Sequence, residues 1–309
     1  MSDMRILRET AYEVKQIMGR SKRAAVERWM LEFAAVNVQL TACQAMVAAE
    51  QLARRYGPMK ISVRSMWDEL CRTPLRTELE WSLYDAFPRP SARPIIVPGS
   101  HGEDVELFLA ADVTGAPRDE LIAPVRWRTV GEPEFQTPDF EEFAGCVGER
   151  ERAMFGKLYE ANGLVQWNFS LPDYAPCYLD LDEPEEDDLG SGVLYHYDLN
   201  PLVPPQAVMG LLLGMVTEVT ALHLLGGFEG DEDDEEVDVR DLASDLELDL
   251  IAWLAARRLR QKARPGLAAA QWFDSPSIPA PATLRWALVF DAAGSVEGLM
   301  LGHRYGVND

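Results

Sequence analysis

Pro88-Arg89-Pro90-Ser91-Ala92-Arg93-Pro94 separates two differently patterned parts of the chain. Three prolines in seven residues fix φ and remove backbone donors, so neither a helix interior nor a central strand runs through them. Before this connector, apolar residues recur every three or four positions. After it they recur mainly at every second position. The fold class expected is therefore α+β: a helical N-terminal region followed by a mainly antiparallel β-sheet covered by helices.

Working outward from the connector, residues 22–56 contain neither Gly nor Pro. Val26, Met30, Phe33, Val36, Leu40, Cys43 and Val47 mark one face of a long helix over about 22–56, ended by Gly57-Pro58. A shorter amphipathic helix is expected over 4–18, and two more over 63–71 and 75–87. On the other side, Val105, Leu107, Leu109, Ala111 and Val113 alternate as a strand does. So do residues 165–171 and 284–290, with shorter candidates at 125–130 and 192–197. Two helices interrupt the strands, one near 206–225 and one from about 237 to 262. Asp291-Ala-Ala-Gly-Ser295 reads as the turn of a C-terminal β-hairpin, 284–290 with 296–303. The domains expected are a weakly basic helical region, 1–94, and an acidic α+β domain, 95–309.

Charge sharpens that division. The 309 residues carry 29 Lys+Arg against 51 Asp+Glu, a formal net charge of -22. Residues 1–94 hold 15 basic and 11 acidic side chains, and residues 95–309 hold 14 and 40. The segment 207–228 is the longest apolar stretch, yet it includes Thr217, Glu218, Thr220 and His223, which suits a core helix better than a membrane span. Cys43, Cys71, Cys146 and Cys177 are scattered and form no C-x-x-C pair. They read as free thiols in a reducing compartment, and with no signal peptide pattern at Met1 the expected location is cytoplasmic.

No P-loop, G-x-G-x-x-G, G-x-S-x-G or H-E-x-x-H pattern occurs, and no cofactor is implied. The best local group of catalytic residue types is Tyr195-His196-Tyr197-Asp198. His196 and Asp198 are two apart, so a strand puts them on one face as a base and its orienting carboxylate. Asp180 and Asp182 could join His196 as metal ligands. His223 reads as a hydrogen-bonded core residue. Two acidic tracts stand out, 180–188 and Asp231-Glu232-Asp233-Asp234-Glu235-Glu236. Neither has the spacing of a calcium loop. Arg20, Lys22 and Arg23 form a small basic patch at the start of the long helix.

These features favour a non-enzymatic interaction, regulatory or assembly protein whose acidic C-terminal region engages a basic protein surface. The partner-binding candidates are Asp231, Glu232, Asp233, Asp234, Glu235 and Glu236, together with Arg20, Lys22 and Arg23. The partner would be a basic protein, or the basic end of a second copy. Nucleic acid is expected to bind only through residues 1–94, and no membrane partner is expected. The alternative is a metal-assisted hydrolase built on Asp180, Asp182, His196 and Asp198.

Overall fold

The structure is a computed structural model that describes residues 20–61, 75–99, 102–115, 128–132, 134, 136–181, 194–227, 238–262 and 264–302, with the side chains of 20–22 and 57–61 excepted. The helices expected over 4–18 and 63–71 lie outside these residues. So does most of the strand expected at 125–130, whose described part, 128–130, is irregular. The fold is α+β with helices at the N-terminal end. It divides into two units, 1–127 with 271–291 and 308–309, and 128–270 with 292–307.

In the first unit the expected 22–56 helix is two helices, α1 (Arg20–Val36) and α2 (Ala42–Ile61). The break has a local cause. The Asn37 side-chain amide donates to the Phe33 carbonyl at 2.9 Å beside the last helical N–H, that of Asn37 itself at 3.0 Å, and the next N–H, of Val38, turns back to Val36 O. Thr41 then starts α2 with a reciprocal cap. Its hydroxyl accepts the Gln44 N–H at 3.1 Å, and the Gln44 side chain accepts the Thr41 N–H at 2.9 Å. The face running through Val26, Met30 and Phe33 is buried, as expected. Gln51 grips the backbone of Ile96 and Gln44 donates to Pro98 O, so α2 covers β3 (Ile95–Pro98). Arg28 donates to the carbonyls of Trp272, Ser275 and Ile278 and lies 4.0 Å over the Trp272 ring, tying α1 to the returning segment.

The helix expected over 75–87 is instead β1 (Leu75–Arg76), a one-turn helix α3 (Glu78–Ser82) and β2 (Phe87–Pro88). Thr77 and Glu80 form a second reciprocal cap, which delays the helix to Glu78. Asp85, with φ 53°, turns the chain afterwards. The strand expected over 105–113 is β4 (Asp104–Leu109), a 3-10 turn at Ala110–Asp112 and β5 (Val113–Thr114). The sheets are β1-β4-β3 and β2-β5, both antiparallel. Trp81 is fully buried and donates to Phe108 O at 3.0 Å.

In the second unit, α4 (Glu149–Glu160) precedes the sheet β6-β8-β7, where β6 is Gly163–Trp167, β7 Cys177–Asp180 and β8 Tyr195–Leu199. β7 runs antiparallel to β8 and β6 parallel to it, the single parallel pairing among the described strands. The expected apolar helix is α5 (Pro205–Leu225), closed by Gly226 at φ 75°. By length and composition it could cross a membrane, but 61% of its apolar window is buried in the protein, against β8 and against α7 (Asp245–Arg258). The 237–262 helix is also divided, into α6 (Val239–Leu242) and α7, because Ser244 and Glu247 form a third reciprocal cap. After α8 (Leu267–Phe273), the expected C-terminal hairpin is in fact one helix, α9 (Trp286–Leu301). The alternation at 284–290 misled because Ala287 and Val289 are apolar as well. Trp286, Phe290, Ala293, Val296 and Met300 repeat at helical spacing, and all are buried. Within the second unit, Glu297 of α9 receives the fully buried Arg258 of α7 at 2.8 Å.

Candidate functional site

The sheet of the second unit gathers the residues that the sequence singled out. Along β8 the side chains alternate between two faces. His196 and Asp198 therefore share one face, and Tyr195 and Tyr197 the other. The antiparallel register of β7 sets Asp180 opposite His196 and Tyr178 opposite Asp198. The parallel register of β6 sets Gln166 beside Asp198. By register Asp180, His196 and Asp198 lie on one face, while Asp182 lies outside the described residues.

Asp198 is 5% exposed, which would be costly for a carboxylate without partners. It has two. Gln166 Nε2 donates to Oδ1 at 2.8 Å and Asn168 Nδ2 donates to Oδ2 at 2.5 Å. Gln166 Nε2 also lies 3.5 Å from His196 Nδ1. Among the described residues no group of three or more His, Cys, Asp or Glu side chains converges to hold a metal.

The network has a visible product. Asn168, held by Asp198, turns the chain at the end of β6: its Oδ1 accepts Ser170 N–H at 2.8 Å. At the other end, Asn200 is 3% exposed and its amide donates to the carbonyls of Pro172 and Ala175 at 3.1 and 3.0 Å. The Asn200 N–H donates to Pro176 O at 3.0 Å. The loop 168–176 is thus fixed from both ends. Yet it presents Phe169 and Tyr174 at 82% and 88% exposure, with Asp173 between them also exposed. Sequence reading missed this loop. Asn168-x-Ser170 and Asn200-x-Leu202 are Asx-turn patterns, a signal that was present.

On the opposite face, Tyr195 and Tyr197 meet α4, α5 and the C-terminal half of α9 around a cavity of about 430 Å³. The Tyr195 hydroxyl and His223 Nε2 are 2.7 Å apart, with the rings edge-on at 88°. His223, expected as a core residue, stands exposed on the cavity side of α5. Desolvation keeps its imidazole below the ordinary His pKa. Burial pushes the phenols of Tyr195 and Tyr197 above their ordinary value. Lys157, 4% exposed, donates to Glu160 at 2.8 Å and to the Glu132 carbonyl. Gly163 is needed at the back of the cavity, because a Cβ there would lie 2.5 Å from the Tyr197 ring.

A second cavity, about 580 Å³, lies between β7, α5 and α6 and includes Cys177, Glu218 and Arg240. Burial, and then Glu218, raise the Cys177 thiol pKa, which makes it a poor nucleophile. Burial also raises Glu218, against the pull of Arg240 3.3 Å away. Cys43, Cys146 and Cys177 are free thiols and half-buried; Cys71 lies outside the described residues.

Of the partner-binding candidates, Asp231, Glu232, Asp233, Asp234, Glu235 and Glu236 lie outside the described residues, as do the side chains of Arg20 and Lys22. Arg23 bonds Glu27 at 2.7 Å and the Ala280 carbonyl at 2.9 Å, inside the first unit. No family model matches the chain, and neither a curated protein nor a solved structure is significantly similar to it.

Proposed function

We propose that this is a non-enzymatic interaction protein whose acidic C-terminal region engages a basic protein surface, as an inhibitor, an immunity-type partner or an assembly subunit. The observation that carries the reading is the loop 168–176: braced by Asn168 and Asn200, it holds Phe169 and Tyr174 out in solvent. Exposed aromatics on a fixed backbone lose little entropy on binding and serve as interface anchors. Their surroundings suit a cationic partner. The segment that packs on the end of β6, where Trp167 donates to the Glu142 carbonyl and stacks on Phe143, exposes Asp139, Glu141, Glu142 and Glu149. Of the cations on α4, Arg152 pairs with Glu141 at 3.7 Å and Arg150 donates to the Leu259 carbonyl, and other cations of the unit are engaged as well. Lys157 pairs with Glu160, Arg258 with Glu297, and Arg240 sits among Glu218, Asp238 and Asp245. Complementary charge would speed encounter and set orientation, and the aromatic tips would supply the desolvated centre. A reducing, cytoplasmic setting without membrane attachment agrees with the free thiols and the packed α5.

The test is a photo-reactive amino acid at position 169 or 174 in the native host. The expected result is a protein adduct, to a Lys/Arg-rich chain or a second copy, that fades as salt rises and is lost when the other aromatic is changed to Ala. The reading fails if neither position gives a salt-sensitive adduct and the chain sediments as a monomer at low salt.

The metal-assisted hydrolase has one observation in its favour: Asp180 faces His196 across β7 and β8. Metal content of the purified chain tests it. A stoichiometric divalent ion lost in His196→Ala would revive it.

A further inference from the structure

The cavity behind Tyr195 and Tyr197 plays no part in the docking reading, and we propose that it binds a neutral, mostly apolar small molecule carrying a hydroxyl or carbonyl that joins the Tyr195–His223 hydrogen bond. At about 430 Å³ it falls within the size of ordinary small-molecule pockets, roughly 300–1,000 Å³. Its walls are largely carbon, from Leu158, Val219, Leu299 and the two tyrosine rings. Polar function is concentrated at one place. The phenol and imidazole spend one donor and one acceptor on each other at 2.7 Å, and a phenol oxygen can carry more than one hydrogen bond, so a ligand oxygen can join the pair. Thr220, also in the lining, already bonds the Val216 carbonyl at 2.7 Å.

The charges argue for neutrality. Lys157, the one lysine among the described lining residues, is engaged by Glu160 and by a backbone carbonyl. Glu134, also in the lining, is exposed and adds negative charge. Desolvation works against a positive charge on the imidazole. An anion would find no uncommitted cation among the described lining residues, and it would meet a protein of net charge -22. An apolar body with a single polar oxygen loses least on entering such a space.

The experiment uses the full chain with 2-naphthol as probe and 2-naphthoate as its anionic counterpart, followed by saturation-transfer NMR and by the shift in thermal midpoint. Saturable 2-naphthol binding at least about tenfold tighter than 2-naphthoate is expected. Tyr195→Phe should weaken it about five- to tenfold with the far-ultraviolet circular dichroism unchanged. Leu299→Trp, which fills the space, should abolish it. If Leu299→Trp fails to fold, Tyr195→Phe and the naphthol-to-naphthoate ratio still decide. Non-saturable binding, equal affinity for the two probes, or unchanged affinity in Tyr195→Phe overturns the proposal.

Discussion

The two faces of the sheet β6-β8-β7 differ in kind, although successive residues of β8 build both. On the His196–Asp198 face, polar atoms satisfy one another: Gln166 and Asn168 converge on a buried carboxylate and brace a loop. On the Tyr195–Tyr197 face, large rings line a cavity. The difference teaches that catalytic residue types are poor guides to a reactive site. Asp198 is the more suggestive residue in the sequence, and in the structure its carboxylate accepts two side-chain amides. His223, assigned to the core, stands beside open space.

Asp198→Ala strikes the closed face hardest. It leaves two half-buried amides without their acceptor and should cost about 1–3 kcal/mol in urea unfolding. A loss below about 1 kcal/mol would show that the face is not a bracing network. Gly163→Ala attacks the cavity face from behind. The new methyl would force the Tyr197 ring toward the cavity, and a loss of about 1–3 kcal/mol is expected, together with a change in 2-naphthol affinity. Unaltered stability and affinity would mean that the ring is not confined.

Tyr197→Phe gives a smaller, pH-dependent effect. The folded phenol is held above its unfolded value near 10, so the folded state keeps its proton longer. Its contribution is fully present below pH 10 and falls as pH rises toward the folded value. Denaturation midpoints from pH 8 to 11 should therefore decline less steeply in Tyr197→Phe than in the parent chain. Identical slopes would contradict the burial. The smallest change in stability belongs to the loop tips: Phe169→Ala or Tyr174→Ala should stay within about 0.5 kcal/mol, since both are exposed, while partner adducts disappear.

Part of this was legible in the sequence. The two-residue spacing of His196 and Asp198, next to a strand expected at 192–197, put them on one face, and the connector 88–94 marked a change from helical to extended patterns. Three helix starts were also written locally, as Thr41-x-x-Gln44, Thr77-x-x-Glu80 and Ser244-x-x-Glu247, and each marks a boundary that the apolar periodicity alone ran past. Residues 284–290 could not be resolved by periodicity, because a run apolar at nearly every position fits both a strand and a buried helix. The Tyr195–His223 pair was beyond reach for another reason: it joins residues 28 positions apart on a strand and a helix, and no local rule brings them together.

Hydrogen exchange in Asp198→Asn tests the central claim, that this carboxylate braces a presented loop, most directly. The substitution keeps shape but turns one acceptor into a donor that faces an amide donor. Exchange at the Leu171 and Ala175 amides should speed up at least about tenfold while α5 stays protected. Unchanged exchange across 168–176 would contradict the account.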